Sequence, residues 1–279
     1  MLDFFAAYSN VPGAQDTFKI FSLVHIVYFV VIFAAVIFAA VKFDNKQRAA
    51  KQKLIHILAN IPLAIYLIDL GISLLFFSEN GINLHKMPFN FCAMISIFIP
   101  IVQFNPHFKY IKKVVINIAT VSAFLWLLCP ITLVGIDRPF SYGAMEAFVY
   151  HGTIFAWGFL CLALGEVGIS IRKIWKDFAG IAVIILWLNI GSLIFGGRIW
   201  IFLNKNGEQL SIYGEGISVI IAFALFIGCM LLYAVYYLVR RLSKQKRHKR
   251  HKHRSERTYH LPIKSAKQKA MSFVDNEIE

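Results

Sequence analysis

FKIFSLVHIVYFVVIFAAVIFAAV, residues 18–41, decides the fold. Lys19 is its one charged side chain, and it ends abruptly at KFDNKQR, residues 42–48. A bilayer core of roughly 30 Å is crossed by about 20 apolar residues in helical form. The stretch Phe18–Val41 therefore reads as one crossing, and six further runs of the same kind follow it. They are Leu54–Phe77, Pro88–Phe104, Val114–Val134, Ala144–Val167, Phe178–Leu203 and Ile217–Leu242. The third is short and carries Pro100, and the sixth has a Gly-rich end at Gly191 and Gly196-Gly197. The expected fold class is all-α: a polytopic membrane bundle of seven transmembrane helices, each satisfying its own backbone hydrogen bonds.

Composition agrees with this reading. The 279 residues are 58% hydrophobic and only 16% charged, and the mean hydropathy is +0.63. A soluble domain is about half apolar and about a quarter charged, so a water-soluble globular enzyme is excluded. Disorder is excluded as well, because 15% of residues are aromatic and supply ample apolar surface to bury. The four cysteines, Cys92, Cys129, Cys161 and Cys229, all lie within apolar runs and form no CxxC pair. Neither a zinc site nor a disulfide framework is expected.

The segments between the runs alternate in charge. Lys42, Lys46, Arg48, Lys51 and Lys53 follow the first run, Lys109, Lys112 and Lys113 the third, and Arg172, Lys173 and Lys176 the fifth. The intervening set is poor in cations, with Lys86, then Arg138, then Arg198 and Lys205. The positive-inside bias places the N-terminus outside and the C-terminus inside, as an odd number of spans requires. Three parts are expected: a short extracytoplasmic segment 1–17, a transmembrane domain 18–242, and a basic cytoplasmic tail 243–279 that is expected to be disordered. The first run is not expected to be a cleaved signal peptide, because its cations follow it and its apolar length is too great.

The tail carries much of the net charge of +14; Val239–Glu279 holds 13 Lys and Arg against 4 Asp and Glu. Lys244–Arg254 reads KQKRHKRHKHR. Such a strip beside a membrane attracts anionic lipid by about 1 kcal/mol per charge, or simply anchors the seventh span. No aromatic residue interrupts it to stack on bases, so nucleic acid is not an expected partner. His248, His251 and His253 stand among cations that oppose metal binding, and no metal or cofactor is expected.

Polar residues inside spans carry the chemistry, since burying them costs several kcal/mol. At about 1.5 Å per residue, His25 lies about 10 Å and Asp69 about 12 Å from the outer ends of their spans. Asn90 and Cys92 lie about 3 and about 6 Å into the third span, and His151 about 10 Å into the fifth. Asn189 lies about 20 Å below the outer end of the sixth. Most of the set therefore shares the outer half of the bilayer, while His56, Asn60 and Glu166 sit near the inner boundary. A Cys beside a His becomes a nucleophile. Asp69 or His25 would orient that imidazole, and Asn90 would offer an amide to an oxyanion. Asn189 is a candidate substrate contact or an interhelical hydrogen-bond partner near Ser192. Each residue also has a plainer reading: Cys92 as a small packing group, His25 bonded to a neighbouring carbonyl. Trp126, Trp157, Trp187 and Trp200 suit interface belts or packing. The same residues support a different class of function, a proton or ion path through Asp69 and His25 with Cys92 incidental. A third class is a non-catalytic scaffold or sensor whose basic tail reads lipid.

Four motifs carry a resemblance. FKIFSLVH at Phe18–His25, MPFNFC at Met87–Cys92, FVYHG at Phe148–Gly152 and, more faintly, LNIG at Leu188–Gly191 resemble the bacterial YwaF-like integral membrane family. That family is distantly similar to a eukaryotic transmembrane acyltransferase of ether phospholipids and, more loosely, to intramembrane lipid hydrolases. The resemblance implies a protein of the bacterial cell membrane that acts on membrane phospholipids without a cofactor, with Cys92 as acyl carrier and His151 as base. It covers the seven runs and not the tail. Asn90 stands where the family's third-span motif has His, and GRIWIFLN and IYGEG replace its later Asn-Tyr-Met and Pro-Trp-Tyr signatures.

Overall fold

The computed structural model describes residues 18–76, 91–134, 138–195 and 223–238. The segment 1–17, Asn90, the stretch 196–222 and the tail from residue 239 lie outside the described residues. The described residues hold seven α-helices and no strand: α1 Leu23–Asp44, α2 Arg48–Phe76, α3 Phe91–Phe104, α4 Lys109–Leu128, α5 Tyr142–Ala163, α6 Ile174–Phe195 and α7 Phe223–Leu238. Each overlaps one of the seven apolar runs. Four of them, α1, α2, α4 and α5, are long and apolar enough to cross a membrane, and α3 and α7 are shorter apolar helices.

Within the described residues, boundaries differ from the apolar runs by up to six residues. α2 begins at Arg48, six residues before the second run, because Arg, Ala, Lys and Gln extend a helix readily once it has started. The fourth run continues to Val134, but α4 stops at Leu128, where Pro130 cannot donate the next backbone hydrogen bond. Local chemistry fixes the other ends. Ser22 and Ser141 accept from the amides of His25 and Ala144 and so cap α1 and α5. α5 ends in a Schellman turn, with Glu166 N donating to Cys161 O at 2.9 Å and Gly165 N to Leu162 O at 3.3 Å. Gly165 sits at φ +79°, which a side chain would strain. Lys112 then pairs with Glu166 at 2.8 Å, tying the start of α4 to that turn.

The exterior is far more apolar than a soluble protein's. On α1, Leu23, Ile26, Val27, Val30, Val31, Ile37, Phe38 and Val41 are exposed, whereas His25 is buried. Asp69, Ser73, Ser96, Gln103, Asn117, Thr120, His151 and Asp177 are buried too. So apolar an exterior, with polar groups turned into a largely apolar core, is stable where the solvent is hydrocarbon.

α5 is the axis of the bundle. It packs against α4, α2 and α1, while α3 lies on α2 and α4, and α6 on α4. Small residues let these backbones approach. A Cβ at Gly158 of α5 would overlap the Thr120 hydroxyl and come within 3.1 Å of the Ile116 carbonyl on α4. Gly158→Val is therefore expected to force α4 and α5 apart and cost about 1–3 kcal/mol, read as a lowered thermal midpoint in lipid nanodiscs. On the same turn of α4, Asn117 Nδ2 donates to Asp177 Oδ2 on α6 at 2.9 Å, and Tyr233 on α7 donates to the same oxygen at 2.6 Å. This buried polar knot joins three helices.

Candidate functional site

Cys92 lies in the first turn of α3 and His151 midway along α5, 59 positions apart in the chain. Their side chains meet: His151 Nε2 is 3.1 Å from Cys92 Sγ. The other ring nitrogen, Nδ1, is 2.8 Å from the carbonyl of Ala147, one turn earlier. A carbonyl accepts only, so Nδ1 carries the proton and Nε2 offers its lone pair to the thiol. One helical turn thus sets the tautomer that a base for Cys92 requires.

The imidazole is clamped in place. Trp126 of α4 stacks on it at 3.7 Å between ring centres and 6° from parallel, and the edge of Tyr150 meets it at 5.1 Å. Trp126 is itself fixed through Nε1, which donates to Thr132 Oγ1 at 3.1 Å. A His packed this way loses little entropy on reaching a productive geometry.

Two hydroxyls complete the neighbourhood. Ser96, one turn after Cys92, lies with its Oγ 2.9 Å from the Cys92 carbonyl and 2.6 Å from the Tyr150 hydroxyl. A serine has one proton to give. When it donates to Tyr150, the phenol hydrogen is free to turn toward a group bound at Cys92. When it donates to the Cys92 carbonyl, Tyr150 donates back to Ser96.

Acidic and phenolic groups border the pair. Tyr142, Glu146 and Tyr150 are four residues apart and share one face of α5. Glu146 lies within electrostatic reach of Cys92 and Tyr150. Asp69 of α2 is 5% exposed and acts electrostatically on Tyr66 and Tyr142. Asp69 therefore borders the face of α5 that carries Tyr142, whereas the contact that orients His151 is the Ala147 carbonyl.

His25 has another use. Its Nδ1 accepts from the Phe21 amide at 2.9 Å, which leaves Nε2–H to donate to the Leu127 carbonyl on α4 at 2.9 Å. Both ring nitrogens are engaged, and the ring packs against Phe18 and Phe148. His25 thus joins α1 to the end of α4. His25→Phe is expected to lower the thermal midpoint by leaving the buried Leu127 carbonyl and the part-buried Phe21 amide unpaired, at about 1–3 kcal/mol. The spacing between Cys92 and His151, read by cross-linking, should not change.

Asn90 lies outside the described residues. Asn189 lies on α6, and its side chain is likewise not described. Cys92, Cys129, Cys161 and Cys229 form no disulfide. Among the described residues, no three of His, Cys, Asp and Glu converge to hold a metal ion. Sequence alone did not mark Trp126 as a ring partner, nor a role for Tyr150, Ser96 or Glu146. The signal available was spacing: Cys92–Ser96 and Tyr142–Glu146–Tyr150 recur every four residues on helices already expected.

One family model, described as the TMEM164 family, matches residues 20–250. No curated protein matches the chain, and no solved structure does.

Proposed function

The chain belongs to the TMEM164 family, a family of membrane proteins, and we propose that within this frame Cys92 and His151 form an acyl-transfer pair acting on membrane phospholipid. The observation that carries the reading is the 3.1 Å contact between His151 Nε2 and Cys92 Sγ, with Nδ1 bonded to Ala147. The likeness of MPFNFC and FVYHG to the YwaF-like motifs adds to it, since these two motifs supply the two members of the pair.

The chemistry balances without a cofactor. Cys92 sulfur attacks an ester carbonyl as its proton passes to His151 Nε2, giving a tetrahedral oxyanion. Collapse breaks the ester C–O bond, and the imidazolium protonates the departing lysophospholipid oxygen. A second hydroxyl, from a lysolipid acceptor or from water, then attacks the thioester while His151 takes its proton, and the thiol is restored. Separated charges are costly in so apolar a place, so proton transfer accompanies attack. Tyr150, with Ser96 behind it, is the described hydroxyl best placed to donate to the oxyanion.

Basic residues fall at the C-terminal end of α1 and the N-terminal ends of α2, α4 and α6, which favours seven crossings of a bacterial plasma membrane with those ends, and the basic tail, in the cytoplasm beside anionic lipid. His25 is a poor relay for an ion path, because both its ring nitrogens are engaged.

The test is acyl movement. Purified protein in nanodiscs, given a phospholipid with an alkyne-tagged acyl chain and an untagged lysophospholipid, should pass the tag to the acceptor or to water. Tyr150→Phe, which keeps the ring and removes the hydroxyl, should slow that transfer about 10²-fold with little change in substrate retention. No tag transfer by the wild type would sink the proposal.

A further inference from the structure

A second polar place lies at the opposite, basic end of the bundle. Gln52, Lys53, His56, Ile57 and Asn60 of α2, with Phe104 at the end of α3, line an open groove of about 450 Å³. The α2 residues fall at four- and three-residue spacings, so they share one face over about 12 Å of helix. The groove is graded along that length. Gln52 and Lys53 stand toward the basic end, where Lys42, Lys46, Arg48 and Lys51 also lie, and Asp44 is the one acid between Lys42 and Lys53. Beyond them come Ile57 on α2 and, against His56, Phe104 of α3, exposed by 52% and 50%. The His56 ring packs against Phe104 at 5.0 Å between centres. Asn60, exposed at the far end of the groove, donates Nδ2 to the His56 carbonyl at 2.9 Å.

A helix face that met only acyl chains would not carry His56 and Asn60 there, and a soluble anion would have no use for the exposed Ile57 and Phe104 beneath the cation. A molecule with an anionic head and an apolar body matches both halves. We propose that this groove holds one anionic phospholipid, its phosphate between the Lys53 ammonium and the His56 imidazole and its glycerol and upper acyl chain along Ile57 and Phe104. The site is separate from Cys92 and His151 and does not depend on their chemistry. Lys51 is not part of it, since its ammonium is already bonded to the Asp44 carbonyl at 2.6 Å.

Native mass spectrometry of the full chain released from detergent, titrated with phosphatidylglycerol or phosphatidylcholine, reads the binding directly. The wild type should retain one phosphatidylglycerol more tightly than any phosphatidylcholine. Lys53→Gln with His56→Gln should weaken that first lipid at least about fivefold, as expected for losing one surface charge. Phe104→Ala should weaken it as well, whereas Lys51→Gln and Lys244→Gln should not. If the double variant is poorly folded, Lys53→Gln alone at its exposed position reads the same loss, and Lys53→Arg should restore binding. Unchanged retention by Lys53→Gln, equal retention of the two lipids, or displacement of phosphatidylglycerol by millimolar inorganic phosphate would each overturn the proposal.

Discussion

Cys92→Ala should reduce acyl transfer by about 10³-fold or more, the scale on which loss of a covalent nucleophile is felt. Folded yield should hold. Cys92 is half-buried at the start of α3, and removing one sulfur there leaves a small space with few lost contacts. Cys92→Ser makes the sharper comparison. It keeps the volume and a polar proton, yet presents an alcohol far less nucleophilic than a thiol at neutral pH. Both variants should therefore fall together in turnover while their thermal midpoints stay near the wild type's. A protein that uses Asp69 and His25 to pass protons would behave otherwise, since Cys92 would be a bystander and both variants would retain full function.

His151→Ala carries the second large effect, and it has two parts. Loss of the base is worth about 10²–10⁴ in rate. The substitution also empties the space beneath Trp126, which stacks on the ring at 3.7 Å, and costs about 1–3 kcal/mol of stability in addition. His151→Gln separates the two. Its side chain fills much of the same volume but cannot accept the thiol proton as an imidazole does. The expected result is a stability close to wild type with a rate loss close to that of His151→Ala. Equal activity in His151→Gln and the wild type would leave the imidazole a packing role only.

The helices were legible because hydrocarbon imposes length on a sequence. A run such as Phe18–Val41 has no other stable use, and each of the seven runs overlaps a helix. What apolar length could not fix was the ends: α2 starts at Arg48 because good helix formers carry it past the lipid boundary, and α4 stops before Pro130. The pairing of α3 with α5 was legible only as a shared depth. Depth says nothing about rotation, and rotation decides what a residue meets. Residue count sets His25 at much the same expected depth as His151, yet its ring is turned to the Leu127 carbonyl. Trp126 read as an interface or packing residue, and neither reading named its partner; its place on α4 sets it flat against His151. Tyr150 and Ser96 carried no charge to draw notice. Their meaning lies in a 2.6 Å contact between residues 54 positions apart, which no local pattern encodes.

The central claim is that Cys92 carries an acyl group during turnover. Wild-type protein in lipid, mixed with an alkyne-tagged phospholipid and quenched quickly, should show a tagged adduct that hydroxylamine removes and that peptide mapping places on Cys92. The account predicts that adduct in the wild type, its absence in Cys92→Ser, and much slower formation in His151→Gln. A wild type that turns over lipid with no adduct, or an adduct that persists in Cys92→Ser, would contradict it.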